Sequence, residues 1–171
     1  MTSLPSIPIS RVCLGTDVEE LVLGVIRSGI IAQGPMVKRL EEEFAALIGV
    51  DHVVAVNNGT TALIAALESL DLRPSDEVVT SPFTFVATLN AIIQSGATAR
   101  FADIDRSDFN IDPDSVGAVI NDRSKVLMPV HLYGQCADMD QLGEITSSND
   151  LVMVEDAAQA HGARFGDRSA S

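Results

Sequence analysis

The sequence predicts an α/β fold, a three-layer α/β/α sandwich built around a mainly parallel sheet. Short runs rich in Val, Ile and Leu alternate with segments whose apolar residues recur at helical spacing. The short runs are almost continuously hydrophobic, as strands covered by helices on both faces must be. Strands separated by helices predict parallel pairing with right-handed crossovers.

The first fifty residues predict two helices. Thr16 and Glu19 have the spacing of a capping box, and an apolar stripe follows that ends near Gly29. Pro35 suits the first position of a second helix, which Gly49 closes. We expect residues 1–50 to form an N-terminal helical segment.

Five strands and four helices alternate in the rest of the chain. The predicted strands are residues 52–56, 77–80, 99–102, 126–131 and 151–154. The predicted helices are residues 60–70, 84–95, 113–120 and 139–145. Because ligands of such sheets bind in the crevice beyond the carboxyl ends of the strands, the polar and aromatic residues that follow each strand predict a site there.

The segment Asn58-Gly59-Thr60-Thr61 connects the first predicted strand to a helix. Backbone amides and Thr hydroxyls before a helix N-terminus favour a phosphate, and Gly59 would allow a tight turn. The segment matches neither GxGxxG nor GxxxxGK[ST], so the usual dinucleotide and P-loop interpretations lose support. An ordinary turn capped by Asn58 is the alternative.

Asp156 ends an apolar strand, which would place a carboxylate in the crevice. A buried carboxylate is costly unless a cation or hydrogen-bond donor meets it, and a protonated ring nitrogen would serve. The alternative is a helix N-cap.

Phe83 and Phe85 stand out among few aromatic residues, and one of them could stack on a flat heteroaromatic ring. The alternative is helix core, since Phe85, Leu89 and Ile92 share a helical face.

Composition excludes several classes of function. The net charge of −13 argues against nucleic acid, whose phosphates require a basic surface. No apolar run reaches the roughly 18 residues of a membrane-spanning helix, and no secretory signal is visible, so we expect a cytoplasmic protein. Cys13 and Cys136 lack CxxC spacing. His131, His161 and Asp156 lack the spacing of metal ligands, and no metal is expected.

Six segments together resemble the DegT/DnrJ/EryC1/StrS sugar aminotransferases, which have the aspartate-aminotransferase fold and use pyridoxal 5'-phosphate (PLP). They are AQGP at 32–35, AVNNGTTAL at 55–63, TFVATLNA at 84–91, DID at 103–105, PVHLYGQ at 129–135 and EDAAQAHGA at 155–163. The order and spacing match across almost the whole chain. The resemblance implies the N-terminal part of such an enzyme, with residues 51–171 as a partial, truncated PLP-transferase large domain and the small C-terminal domain absent.

The resemblance also implies roles for five residues. Gly59 and Thr60 would hold the phosphate of PLP, and Phe85 would stack on its pyridine ring. Asp156 would pair with the pyridinium nitrogen, which makes the ring an electron sink. Gln159 would form a hydrogen bond near the phenolic oxygen of the ring.

On the substrate side, the resemblance implies a nucleotide-linked keto sugar, an amino donor such as glutamate, and a homodimer. Gln33 and Gly34 are similar to a substrate-side element of the family. The Schiff-base lysine of the family lies beyond the last residue here, and neither Lys38 nor Lys125 is expected near the crevice. We therefore expect weak PLP binding and no transamination by this chain alone.

Two other functions stay open within the resemblance. Relatives that dehydrate a sugar carry histidine in place of the Schiff-base lysine, at a position that this chain lacks. A non-catalytic subunit completed by another polypeptide is also consistent with the sequence. A nucleotide binder of the Rossmann type is disfavoured because no glycine fingerprint follows a strand.

Overall fold

The computed structural model describes residues 7–8 and 11–170 and contains a four-stranded parallel sheet. The strands are β1 (Glu77–Thr80), β2 (Thr98–Phe101), β3 (Ser124–Leu127) and β4 (Val152–Met153), in the order β2-β1-β3-β4. The helices are α1 (Thr16–Ser28), α2 (Pro35–Ile48), α3 (Gly59–Glu68), α4 (Val86–Gln94), α5 (Pro113–Val119) and α6 (Met139–Asn149), with a 3-10 turn at Leu132–Gly134. The predicted α/β class and parallel pairing are confirmed.

Helices cover both faces of the sheet because successive strand residues point to opposite sides. Val78 and Val126 are fully buried in a cluster with side chains of α3 and α4. Val79 and Leu127, their neighbours along the chain, are fully buried with side chains of α5 and α6. Each such side chain contributes about 1.5–3 kcal/mol when it leaves water. This alternation produces the predicted three layers.

The order of the strands reverses between β1 and β3. From β1 the chain passes through α4 to β2 on one side, and it then returns to place β3 on the other side of β1. Connections that leave in opposite directions open a crevice at the carboxyl ends of these two strands. The sheet therefore sets the position of a binding site at this edge.

The predicted strand at residues 52–56 is wrong. These residues carry no strand pairing, Val54 is 79% exposed, and the N–H of Ala55 donates to Oε1 of Glu41 at 2.9 Å instead of to another strand. Strand propensity cannot by itself make a strand, because a strand needs a neighbour to satisfy its backbone groups. No other strand of the described residues lies beside this segment.

The first helix begins differently from the prediction. Gly15, not Thr16, is the N-cap of α1, and no side chain caps the helix, so the capping box is not formed. The second helix agrees with the prediction: Pro35 occupies its first turn, and Gly49 ends it in the left-handed region at φ 79°. The boundary at residue 50 between a helical segment and the sheet-containing domain stays a prediction.

A short antiparallel hairpin near the end of the chain was not predicted from the sequence. It pairs β5 (Arg164–Phe165) with β6 (Arg168–Ser169) across a turn at Gly166, whose φ is 60°. The Gly-Asp pair in the turn is typical of a hairpin. Each strand has only two residues, however, which is too few to show the alternation of apolar and polar residues that predicts a strand. Within the ranges described, no helix is both long and apolar enough to cross a membrane.

Candidate functional site

A cavity of about 280 Å³ opens at the carboxyl edge of the sheet. Its lining residues come from the first half of α3, the loop that follows β1 together with the start of α4, and the loops that follow β3 and β4. They are Asn58, Gly59, Thr60, Leu63, Thr84, Phe85, Ala87, Val130, Leu132, Asp156, Ala158 and Gln159. The structure thus brings together the five residues predicted to bind a cofactor. Their roles toward it stay predictions.

The start of α3 forms one end of this cavity. Asn58 is the N-cap, and its side-chain oxygen accepts from the N–H of Thr61 at 2.9 Å. The N–H groups of Gly59 and Thr60 lie in the first turn, where no carbonyl of the helix can reach them. Capping by Asn58 and anion binding are therefore compatible, because the cap satisfies a different N–H group. Two free amides and the helix dipole make this end attractive to an anion.

Gly59 does not serve the purpose that the sequence suggested. It is the first residue of α3 and does not have a positive φ, so no tight left-handed turn requires glycine there. A Cβ at this position would make ordinary contact with the Cβ of Ala158 at 3.7 Å. The absence of a side chain at Gly59 instead keeps the cavity open beside the amides of α3.

Asp156 places a carboxylate in the wall of the same cavity. Its side chain is only 6% exposed, and Oδ2 accepts from the hydroxyl of Thr88 at 2.6 Å while Oδ1 accepts from the N–H of Ala158 at 3.3 Å. The backbone of Asp156 pairs with the residues that follow β3. Its N–H donates to the carbonyl of Pro129, and its carbonyl accepts from the N–H of His131. No helix begins at Asp156, so the N-cap alternative is wrong.

Asp156 is a buried carboxylate without a cationic partner. Within residues 11–170, no Lys, Arg or His side chain forms an ion pair with it. A buried charge that lacks a counter-charge is costly, and hydrogen bonds offset that cost only in part. The site is therefore complementary to a ligand that is cationic near Asp156 and anionic near α3.

Phe85 lies at the cavity and outside the core. It is 69% exposed and stands immediately before α4, so its ring does not share the buried face of that helix. The helix-core alternative is therefore wrong for Phe85. Phe83 contacts the ring of Phe109 at a centroid distance of 6.1 Å and does not line the cavity. Of the two rings, Phe85 is the one that can face a ligand.

Gln159 is held by the loop that follows β3. Its side-chain oxygen accepts from the backbone N–H of Tyr133 at 2.9 Å. The amide nitrogen is then the part of the side chain that can donate to a ligand. Tyr133 itself is 77% exposed and does not line the cavity.

His131 lies next to Asp156 in the sheet, where its backbone N–H donates to the carbonyl of Asp156. The sequence assigned no role to this residue. The ring is fully buried, Nδ1 accepts from the N–H of Ala137 at 3.1 Å, and Nε2 lies 2.8 Å from Oε2 of Glu155. Because Nδ1 is an acceptor, Nε2 carries the proton and donates to Glu155. Burial raises the pKa of the nearby Cys136 thiol, and the charge of Glu155 raises this pKa further.

Gln33 and Gly34 lie elsewhere. Gly34 lines a separate cleft of about 460 Å³ between α1 and α2, and Gln33 lines neither this cleft nor the cavity at the sheet edge. The structure thus does not place the predicted substrate-side pair at the cavity. Their substrate role stays a prediction.

Neither lysine reaches the cavity. Lys38 on α2 forms an exposed pair with Glu42 at 3.7 Å, and Lys125 in β3 donates to the carbonyl of Asp122 at 3.3 Å. Neither residue lines the cavity. The cavity as described therefore holds no amine that could react with an aldehyde.

The histidines and acids of the described residues do not gather into a cluster suited to a metal ion. His161 packs edge-on against Phe44 of α2, with ring centroids 5.5 Å apart. This contact and the bond from Ala55 to Glu41 attach α2 to the rest of the chain.

Comparison with known proteins identifies relatives of this fold and site. The model of the DegT/DnrJ/EryC1/StrS aminotransferase family matches residues 12–171. Spore coat polysaccharide biosynthesis protein SpsC of Bacillus subtilis is 44% identical over 154 residues, which cover 90% of this chain and 40% of that protein. The dTDP-3-amino-3,4,6-trideoxy-alpha-D-glucose transaminase of Micromonospora megalomicea is 44% identical over 148 residues, which cover 86% of this chain and 40% of that protein.

Most of this chain is similar to part of a solved structure, that of GDP-4-keto-6-deoxymannose-3-dehydratase with a trapped PLP-glutamate geminal diamine. Its TM-score is 0.92 at 26% sequence identity, and the match covers 96% of this chain and 44% of that chain. The present chain spans about two fifths of the length of the curated relatives that it matches.

Proposed function

The chain belongs to the DegT/DnrJ/EryC1/StrS aminotransferase family, and we propose that its cavity binds PLP for the transamination of a nucleotide-linked keto sugar. Its α/β fold is that of the PLP-dependent aminotransferases. The observation that carries the proposal is the buried carboxylate of Asp156, which has no cationic partner in residues 11–170 and lines the same cavity as the N-terminus of α3.

The charge pattern of the cavity fits the charge pattern of PLP. A pyridinium nitrogen would supply the positive charge that Asp156 lacks, at a position where few water molecules screen the pair. The phosphate would accept from the amides of Gly59 and Thr60 at the positive end of α3. A ligand with only one of these charges would satisfy only one end of the site.

Two further side chains would orient the ring. Phe85, which is exposed in the cavity, would cover one face of the pyridine by stacking. Gln159 would donate its amide N–H to the phenolic oxygen, because Tyr133 already occupies its carbonyl oxygen. When bound, PLP supplies an electron sink that stabilises the carbanion formed in transamination.

The names of the relatives support a proposal about the substrate class. The transaminase from Micromonospora megalomicea is named for a dTDP-linked amino sugar, and the dehydratase structure holds a PLP-glutamate species. We infer that a keto sugar carried on a nucleotide is the amino acceptor and that glutamate is the donor. We also infer a homodimer, supported by the exposed apolar side chains Leu21, Val22, Leu40 and Leu47 of α1 and α2.

We further infer that this chain alone does not transaminate. Lys38 and Lys125 lie outside the cavity, so PLP would be held by non-covalent contacts only. The test is to saturate the chain with PLP, reduce it with borohydride and measure the protein mass. We expect one PLP to dissociate on dialysis and no stoichiometric pyridoxyl adduct on either lysine. A single stoichiometric adduct together with turnover would contradict this inference.

A sugar dehydratase is the second candidate, favoured by the structural likeness to the GDP-4-keto-6-deoxymannose-3-dehydratase. The two reactions differ in the mass of the sugar product. A transaminase exchanges a carbonyl oxygen for an amino group, whereas a dehydratase removes water without adding nitrogen. Mass spectrometry of the product formed by the assembled enzyme, with ¹⁵N-glutamate as donor, therefore separates them.

A further inference from the structure

Two threonine hydroxyls connect the cavity to the carboxylate of Asp156. Thr84 lines the cavity, its hydroxyl lies 2.8 Å from that of Thr88, and the hydroxyl of Thr88 lies 2.6 Å from Oδ2 of Asp156. We propose that Thr88 is the positioning residue that orients the carboxylate of Asp156 toward a cationic ring. Thr84, Thr88 and Asp156 then form a relay of two hydrogen bonds, from Thr84 to Thr88 and from Thr88 to Asp156. This inference rests on the proposed function of the cavity.

The direction of the relay follows from the number of protons available. A threonine hydroxyl has one proton to donate, and that of Thr88 goes to Asp156. The bond between Thr84 and Thr88 must then run from Thr84 to Thr88. Each donation strengthens the next, because a hydroxyl that accepts a hydrogen bond becomes a better donor. Asp156 thus acts as an acceptor at the end of the relay.

Thr88 is the sole side-chain donor to Asp156 in the described part of the chain. The other contact of the carboxylate is the longer bond of 3.3 Å from the N–H of Ala158 to Oδ1. Thr88 is fully buried and Asp156 nearly so, so water cannot replace the hydroxyl easily. Bonds from a donor to a charged acceptor are among the stronger ones in proteins, at about twice the strength of neutral ones.

The relay also couples the placement of Asp156 to that of Phe85. Thr84 lies two residues before α4 and Thr88 lies in its first turn, and the bond between their hydroxyls ties the loop before the helix to the helix. Phe85 stands between them in sequence and points to the cavity side. One helix start thus positions the aromatic ring and orients the carboxylate together.

The experiment compares wild type with Thr88→Val, Thr88→Ser and Thr84→Val. Valine has the shape of threonine without the hydroxyl, and serine keeps the hydroxyl. Thr146→Val is the matched control, because the hydroxyl of Thr146 donates to the carbonyl of Gly143 on α6, away from the cavity. Carbon-13 NMR of the Asp156 carboxyl in H₂O and D₂O reports the hydroxyl donor, and titration with PLP reports the affinity.

We expect a solvent isotope shift of equal size on the Asp156 carboxyl carbon in wild type, Thr88→Ser and Thr146→Val. In Thr88→Val this shift should be clearly smaller, because only the longer bond from the N–H of Ala158 remains. PLP affinity should fall about tenfold in Thr88→Val and stay within about twofold of wild type in Thr88→Ser. Thr84→Val should keep the isotope shift and weaken PLP by about two- to threefold, since it removes only the outer bond.

Absence of the isotope shift in wild type overturns the inference without any variant. Equal PLP affinity of wild type and Thr88→Val overturns it as well. If Thr88→Val does not fold, the same comparison is made with Thr84→Val, and unchanged affinity there contradicts the relay. Failure of all the proteins to bind PLP contradicts the proposed function and, with it, the role of Thr88. PLP binding with no isotope shift, or with an equal shift in wild type and Thr88→Val, contradicts the role of Thr88 alone.

Discussion

The backbone N–H of Tyr133 donates to the side-chain oxygen of Gln159 at 2.9 Å. This bond joins the loop after β3 to the loop after β4, next to the cavity that Gln159 lines. Tyr133 adopts a left-handed φ of 53°, which costs an ordinary residue about 1–2 kcal/mol. The strained turn thus fixes which end of the Gln159 amide faces a ligand, and it makes Gln159 a donor.

Replacement of Gln159 by Glu should weaken PLP binding at least tenfold. The carboxylate still accepts from Tyr133, but it replaces a donor with a negative charge opposite the phenolic oxygen of the ligand. Gln141→Glu is the control, since it makes the same change of charge on the exposed surface of α6. The measurement is a fluorescence titration with PLP. Equal affinity of Gln159→Glu and Gln141→Glu would refute the donor role.

Gly134→Ala should destabilise the chain by about 2 kcal/mol, and Gly96→Ala by about 1 kcal/mol. Both glycines have a positive φ, of 90° and 83°. Only at Gly134 would the new Cβ also crowd a neighbour, the carbonyl oxygen of Gln159 at 3.3 Å. Urea denaturation measures both free energies of unfolding. A smaller loss at Gly134 than at Gly96 would show that the turn does not press on Gln159.

Phe85→Ala should weaken PLP binding about three- to tenfold and leave the free energy of unfolding within about 0.5 kcal/mol of wild type. The ring is exposed in the cavity and packs on no other ring of the described residues. Phe83→Ala should show the opposite pattern, because Phe83 packs on Phe109 and does not line the cavity. Loss of affinity in Phe83→Ala alone would reverse the assignment.

Glu155→Gln should make Cys136 react faster with iodoacetamide at pH 8. Burial raises the pKa of the Cys136 thiol most, and the charge of Glu155 raises it further, so removal of that charge lowers the pKa and increases the thiolate fraction. The oxygen of Gln can still accept from His131. The exposed Cys13 is an internal control whose rate should not change. Identical rates at Cys136 in both proteins would disagree with the electrostatic contribution of Glu155.

Sequence patterns predicted all four strands of the parallel sheet and the edge where the cavity lies, but they also predicted a strand at residues 52–56 that is not formed. Near-continuous apolar runs predicted β1 and β3 as strands covered on both sides, and the structure buries Val78 and Val126 on one face and Val79 on the other. Residues that follow parallel strands must meet at one edge. This is why Asp156 could be expected at that edge. Gly59, about a hundred positions earlier, lines the same cavity from the start of α3, although the strand predicted before it is not formed.

The remaining features depend on contacts that a pattern does not record. Residues 52–56 have strand composition, but pairing requires a neighbour, and the side chain of Glu41 takes the N–H of Ala55 instead. The bond from Thr88 to Asp156 joins residues 68 positions apart, and no local pattern in the sequence indicates it. The bond between His131 and Glu155 likewise depends on which strands are neighbours.

Titration of wild type and Asp156→Asn with PLP tests the central claim most directly. The amide keeps the shape of the side chain and removes the charge that would face the pyridinium. We predict one PLP bound to each wild-type chain and an affinity at least tenfold lower for Asp156→Asn, with the free phosphate ion competing equally well for both proteins. Equal affinity of the two proteins, or no binding by wild type, would contradict the account of this cavity.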